Sequence, residues 1–424
     1  PAMIRTIHRA KYVLAEPDLL LQNAALHICD PGRICRVEPW QGPPASLDVE
    51  IRDWGSAVIL PGLVNAHTHL EFTRLSGQLT RPSSFTEWLS QVVEKRREWT
   101  DWDTLESARM GAKLSLAAGT TFVGDISSSG VSWKALKPEK LRKVVFEETL
   151  AFLPERADQA LEALEARLDS VEPDPLLASG VSPHAPYSVS PDLFRSSTQL
   201  ASWRKLPVAV HLAETTAELE FLKSGTGEFR EFLSRLNVLP ADWQHPGLSP
   251  VAYLESLGVL RNPAVLIHGN YLDEESVARI MSSRCSVIFC PRSHAFFGHQ
   301  EHPVRRLLDL GVNVALGTDS LASNSSLSMM DEMRFLFDKR KDLKCEEIVR
   351  MATLNGALAL GAGGATGRLR RGYWADMTIL SLPESMGSRN LTAHILEGAG
   401  ECVATIVAGT ESWGRPSCSP GFSS

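Results

Sequence analysis

Two histidines, His67 and His69, stand one residue apart at the end of the apolar run LPGLVNAHTHLEF (60–72). A strand has a side-chain period of two, so both imidazoles face the same side. Such a pair either holds a metal or packs as ordinary histidines. Later apolar runs end on residues of the same kind. VAVHLAE carries His211 and Glu214, AVLIHG reaches His268, and VALGTDS reaches Asp319. Buried imidazoles and carboxylates are costly unless paired or bound to metal. Recurrence at the ends of several strands points to one shared metal site.

That site predicts one divalent metal per chain, held by His67, His69, His211 and Asp319. Three histidines and a carboxylate suit Zn2+, with Fe2+ and Mn2+ as alternatives. A metal with an open position lowers the pKa of its water toward neutrality. Asp319 is the candidate acceptor of that water's proton. Glu214 is the candidate proton carrier between a ring nitrogen and a leaving group, or else a helix N-terminal acid. His268 would orient the attacking water or a developing oxyanion.

The elements that position these residues alternate between β-rich runs and amphipathic stretches, the pattern of a parallel sheet. Strands are predicted over Val58–His67, Thr121–Ile126, Val144–Leu150, Leu177–Pro183, Pro207–Ala213, Ala264–His268, Ser286–Cys290 and Val312–Gly317. Helices are predicted over Thr104–Ala118, Ala157–Ser170, Pro191–Trp203 and Glu274–Ser283. Eight such units predict an α/β fold, a distorted (β/α)8 TIM barrel with reactive groups at the C-terminal strand ends. Both chain ends read as strands joined by turns. They are expected either to pair into one small β-sandwich or to decorate the barrel separately. The expected division is residues 1–59 and 371–424 for the sandwich and 60–370 for the barrel.

The chain has 424 residues, 43% apolar and 22% charged, with a formal charge of −7 and no long run of either sign. This balance weighs against a nucleic-acid or anionic-membrane partner. No stretch approaches the ~20 apolar residues of a membrane span, and no secretory signal pattern opens the sequence. The seven cysteines are scattered, which suggests reduced thiols and a cytoplasmic location. Cys29 and Cys35, flanking the turn DPGR, are expected to pack, although they could be cross-strand neighbours. The expected partner is a small-molecule substrate, with a homodimer possible.

In order, the motifs PGLVNAHTH, SPHAPYSVS, HLAET, HGNYLD, CPRSH, GTDSLASN and GRLRRGYWAD span most of the chain. Their order resembles the amidohydrolase superfamily, in particular its mononuclear cytosine-deaminase-like and chlorohydrolase-like branch. The resemblance implies a distorted TIM barrel with a sandwich built from both termini. It also implies that His67, His69, His211 and Asp319 are ligands, while Glu214, His268 and Asp319 act in catalysis. Binuclear relatives carry a carboxylated lysine on strand four, but no lysine lies between Leu177 and Val189. That difference favours a single metal.

SPHAPYS resembles the motif of deaminases acting on adenosine-type nucleosides, including methylthioadenosine and S-adenosylhomocysteine. It implies that His184 and Tyr187 lie beside a purine nucleoside, unless both merely build their loop. HTHLEF, HLAETTAELEFLKSGTGEFREFL and CPRSHAFFG look closest to aminodeoxyfutalosine deaminases of menaquinone biosynthesis. The expected activity is therefore that of a metal-dependent aminohydrolase converting a 6-aminopurine nucleoside to its 6-oxo product. Glu71 departs from the small or apolar residues usual in methylthioadenosine-type deaminases. It is a candidate for reaching substrate, supporting a metal histidine or forming a surface salt bridge. Arg156 and Arg292 are candidates for a substrate carboxylate or for structural ion pairs, and His294 is a candidate pocket residue. Phe85 and Trp88 would form a lid or belong to the core. The alternatives are deamination or dechlorination of guanine, cytosine or a triazine, and, least favoured, a non-catalytic assembly protein.

Overall fold

A computed structural model describes residues 3–43 and 49–415. Eight strands, named here β1 to β8, pair in sequence order to form the barrel: Leu63–Thr68, Thr120–Ser127, Arg142–Thr149, Leu177–Pro183, Val208–Leu212, Ala264–His268, Ser286–Phe289 and Asn313–Leu316. All the pairings are parallel. Most of these strands are buried along their whole length, as expected for a sheet covered on both faces. The first and last strands meet through a parallel bridge between Thr68 and Asp319. There the backbone N–H groups of Thr318 and Asp319 donate to the His67 carbonyl at 3.1 and 3.2 Å. A Cβ at Gly317 would lie 2.9 Å from that of His67, so glycine permits the close approach.

Helices Ala157–Ser170, Pro191–Arg204 and Glu274–Ser282 lie close to their predicted spans. The helix predicted from Thr104 begins at Asp101, because Thr100 and Asp103 form a reciprocal capping box. The predicted first strand, Val58–His67, is two strands. Ala57–Pro61 pairs antiparallel with Met377–Ser381 in the terminal sheet, and Leu63–Thr68 opens the barrel. The chain crosses at Gly62, where any Cβ would collide with the Thr121 side chain. A continuous apolar run conceals this break, since both halves are buried.

The terminal sheet joins both ends of the chain. Its order is Thr410–Gly414, Glu401–Val407, Met377–Ser381, Ala57–Pro61, Ile4–Glu16, Leu19–Cys29 and Arg33–Pro39, with Glu50–Asp53 also pairing to Ile4–Glu16. It encloses its own apolar core, which includes Val13, Leu26, Ile59, Met377 and Ile406. Asp376 ties this unit to the barrel. Its carboxylate accepts from Arg142 Nε and Nη2 at 3.0 and 3.2 Å, from the Thr366 hydroxyl at 2.6 Å and from the Ala408 N–H at 2.7 Å. The GRLRRGYWAD motif thus ends on a buried anchor. The expectation for Cys29 and Cys35 is corrected: they form a disulfide across their hairpin, with Cα atoms 5.9 Å apart. Cys418 lies outside the described residues.

Candidate metal and catalytic centre

The C-terminal ends of β1, β5 and β8 bring the four expected ligands together. The ring nitrogens of His67, His69 and His211 form a cluster within 4.8 Å. His69 Nε2 and His211 Nε2 are 3.3 Å apart, and Asp319 Oδ1 lies 3.6 and 3.8 Å from Nε2 of His67 and His69. His211 Nδ1 bonds to the carbonyl of His184 at 3.1 Å. That contact reserves Nε2 as the free ligand atom. Asp319 Oδ2 accepts the Ser293 and Ser323 hydroxyls at 2.7 and 2.8 Å, which leaves Oδ1 facing the imidazoles.

The donor set fits a divalent ion. Both ring nitrogens of His67 are buried without a hydrogen-bond partner among the described residues, which is costly unless a ligand satisfies them. Burial and the neighbouring imidazoles hold His69 and His211 well below the usual histidine range, in the neutral form that metals require. Burial pushes the Asp319 carboxyl up, but contact with His67 and the charges of His268 and His69 outweigh it. Asp319 is held well below the usual carboxylate range.

Glu214 and His268 face each other, with Oε1 and Nε2 3.4 Å apart. Burial, followed by the charges of Asp319 and Glu218, pushes the Glu214 carboxyl well up. Burial pulls His268 down to about 3. Glu218, which the sequence reading passed over, accepts the backbone N–H groups of Ala213 and Glu214, each at 2.9 Å. Its helix, Thr216–Ser224, starts at an N-cap Thr215 that accepts the Glu218 N–H. The signal was present as Thr-x-x-Glu, half of a capping box. Three non-glycine residues at the barrel mouth have positive φ: Ala213 at 50°, His268 at 72° and Asp319 at 58°. Such strain persists where surrounding contacts enforce it.

His184 packs its ring against His211, with centroids 4.8 Å apart, and meets Tyr187 edge-on at 5.7 Å. Tyr187 stacks on Phe229 at 4.0 Å. His184 and Tyr187 line a cavity of about 520 Å³ whose other walls include Leu89, Leu150, Phe152, Phe232 and Val238. Arg156 reaches this cavity with an exposed side chain.

The remaining candidates lie apart from the cluster. Glu71 is fully buried, so it makes no surface salt bridge. Its carboxylate accepts hydroxyls from Ser127, Ser128, Ser129 and Ser132 and lies 3.5 Å from Arg96. The adjacent Phe72 ring stacks on His69 at 5.0 Å. Arg292 is held by the Ser326 hydroxyl at 2.7 Å and by Ser325, with Asp331 at 3.8 Å. His294 meets Phe289 edge-on and neighbours His299 and His302. His302 Nε2 contacts the His268 carbonyl at 2.9 Å. Phe85 and Trp88 are core residues packed with Phe297.

This barrel, with its histidine and carboxylate cluster at the C-terminal mouth, is the architecture of a metal-dependent hydrolase. The chain belongs to the amidohydrolase family, whose model matches residues 58–411. It is 31% identical over 416 residues to a 5-methylthioadenosine/S-adenosylhomocysteine deaminase of Syntrophobacter fumaroxidans, covering 90% of this chain and 89% of that one. It is 33% identical over 332 residues to an aminodeoxyfutalosine deaminase of Deinococcus radiodurans, covering 74% and 76%. The structure of Helicobacter pylori aminofutalosine deaminase in complex with methylthio-coformycin superimposes with a TM-score of 0.83 at 25% identity, covering 96% of this chain and all of that one. The protein is an amidohydrolase-type deaminase acting on a small molecule. No helix among the described residues is long and apolar enough to cross a membrane.

Proposed function

We propose that the protein deaminates a 6-aminopurine nucleoside carrying an apolar, acidic substituent, with aminodeoxyfutalosine of menaquinone biosynthesis as its substrate. The observation that carries this reading is the cavity beside His184 and Tyr187, which is walled by apolar side chains and reached by Arg156. An aryl carboxylate matches both the apolar walls and the guanidinium. The names of the relatives support the purine nucleoside class.

His67, His69, His211 and Asp319 would hold one divalent ion, and the ligand set suits Zn2+. When bound, such an ion supplies Lewis acidity and an activated water. The residues of the chain handle the protons. Asp319 Oδ1 accepts a proton as water adds to C6 of the ring. Glu214, whose carboxyl burial pushes well up, delivers its proton to N1. Of the two protons the added water gives up, one through Asp319 and one from the new C6 hydroxyl, one restores Glu214 and the other leaves with the amine. His268 is neutral and orients the oxygen that adds to C6. Water is consumed, the C6–N bond breaks, and ammonia and the 6-oxo purine result.

Incubation of the Zn2+-loaded protein with aminodeoxyfutalosine tests this reading. Release of ammonia, with loss of absorbance near the adenine maximum, is expected. Turnover of guanine or a triazine without any 6-aminopurine nucleoside would reject it.

A further inference from the structure

Strand β3 ends in two successive carboxylates, Glu147 and Glu148, which strand alternation sends to opposite faces. Glu147 Oε2 lies 3.5 Å from Nε of Arg167, on the outer helix Ala157–Ser170. Glu148 turns into the barrel, with Oε1 3.9 Å from His184 Nε2. One carboxylate oxygen of Glu148 and ring nitrogens of His184 and His211 lie within 4.8 Å of one another. Glu148 is only 5% exposed, and its Oε1 has no hydrogen-bond partner among the described residues. A buried acceptor left without a donor is costly, so this oxygen is prepared for a donor from outside the chain.

His184 offers a second acceptor. The Ser188 hydroxyl donates to the Ala185 carbonyl at 3.1 Å, so its oxygen accepts from His184 Nδ1 at 2.6 Å. That tautomer leaves Nε2 with a bare lone pair. A carboxyl oxygen accepts in either protonation state. A second metal does not fit here, because His211 has committed Nδ1 to the His184 carbonyl and Nε2 to the cluster with His69. Two acceptors 3.9 Å apart match two neighbouring hydroxyl donors.

We propose that Glu148 and His184 bind the vicinal hydroxyls of the substrate's ribose, and that Glu148 makes the enzyme selective for ribonucleosides over deoxynucleosides. This rests on the nucleoside reading above. Each acceptor takes one hydroxyl, which fixes the sugar beside the metal cluster and thereby sets where C6 falls.

The test compares the metal-loaded wild type with Glu148→Met, which removes the acceptor at similar volume, and Glu148→Gln, which keeps one. The substrates are adenosine, 2′-deoxyadenosine and 3′-deoxyadenosine. Glu148→Met is expected to lose ~ten- to hundredfold in kcat/KM on adenosine. It should lose almost nothing on the deoxynucleoside lacking the hydroxyl that Glu148 holds, while Glu148→Gln recovers part of the loss and metal content stays constant. Equal losses on all three nucleosides, no loss on any, or a fall in bound metal would overturn the proposal. A wild type that turns over no 6-aminopurine nucleoside brings down the nucleoside reading first, and this pair with it.

Discussion

The carboxylate of Glu218 grips the backbone of Glu214: Oε2 accepts the Glu214 N–H and Oε1 accepts that of Ala213, both at 2.9 Å. Ala213 is held at φ 50°, so the turn that aims Glu214 at His268 depends on a side chain four residues further on. Glu214→Gln is expected to cut turnover by at least ~10²-fold while fold and metal content are retained, since positioned proton delivery contributes 10²–10⁴. Steady-state kinetics beside metal analysis checks this. Wild-type turnover in the variant would remove Glu214 from the mechanism.

The metal site predicts close to one tightly bound divalent ion per chain. Replacing both His67 and His69 with alanine should abolish that binding and the activity with it. Elemental analysis after dialysis measures the stoichiometry. Two equivalents per chain would contradict the single-site reading.

Arg156 should matter only when the substrate carries an anion. An exposed guanidinium–carboxylate pair contributes about 0.2–1 kcal/mol, at most about fivefold in affinity. Arg156→Leu is therefore expected to lower kcat/KM for aminodeoxyfutalosine by that factor and to leave adenosine nearly unchanged. Parallel losses on both substrates would show that the side chain supports the loop instead.

Glu147 predicts a pH dependence of stability. Burial pushes its carboxyl up to about 7, against the opposing charge of Arg167. A raised carboxyl binds more protons folded than unfolded between its unfolded value and pH 7. Stability is therefore highest at the acid end of that window and falls as pH rises, with a slope of at most about 1.4 kcal/mol per pH unit from this one group. Glu147→Gln should flatten the melting-temperature profile between pH 5 and 7. An unchanged profile would mean that the group is ionised throughout.

The sequence made the barrel and the metal cluster legible because strand ends recur as one apolar run followed by one polar residue. His67, His211, His268 and Asp319 each follow that rule. It failed where tertiary contacts decide. Gly62 splits an apolar run between two sheets, and only the collision with Thr121 reveals why. Glu71 read as reaching substrate, supporting a metal histidine or forming a surface salt bridge, but four serines from the end of β2 and the segment after it enclose it. Glu148 lies inside the predicted strand Val144–Leu150, and nothing in the sequence brings its carboxylate to His184. Only the three-dimensional placement separates the inward carboxylate from the outward one.

The comparison of kcat/KM among aminodeoxyfutalosine, methylthioadenosine, adenosine and free adenine on the Zn2+-loaded enzyme tests the central claim most directly. The cavity beside His184, with Arg156 at its wall, predicts that aminodeoxyfutalosine is deaminated with the highest value, that adenosine follows and that adenine is poor. Adenosine or methylthioadenosine matching or exceeding aminodeoxyfutalosine would contradict the account.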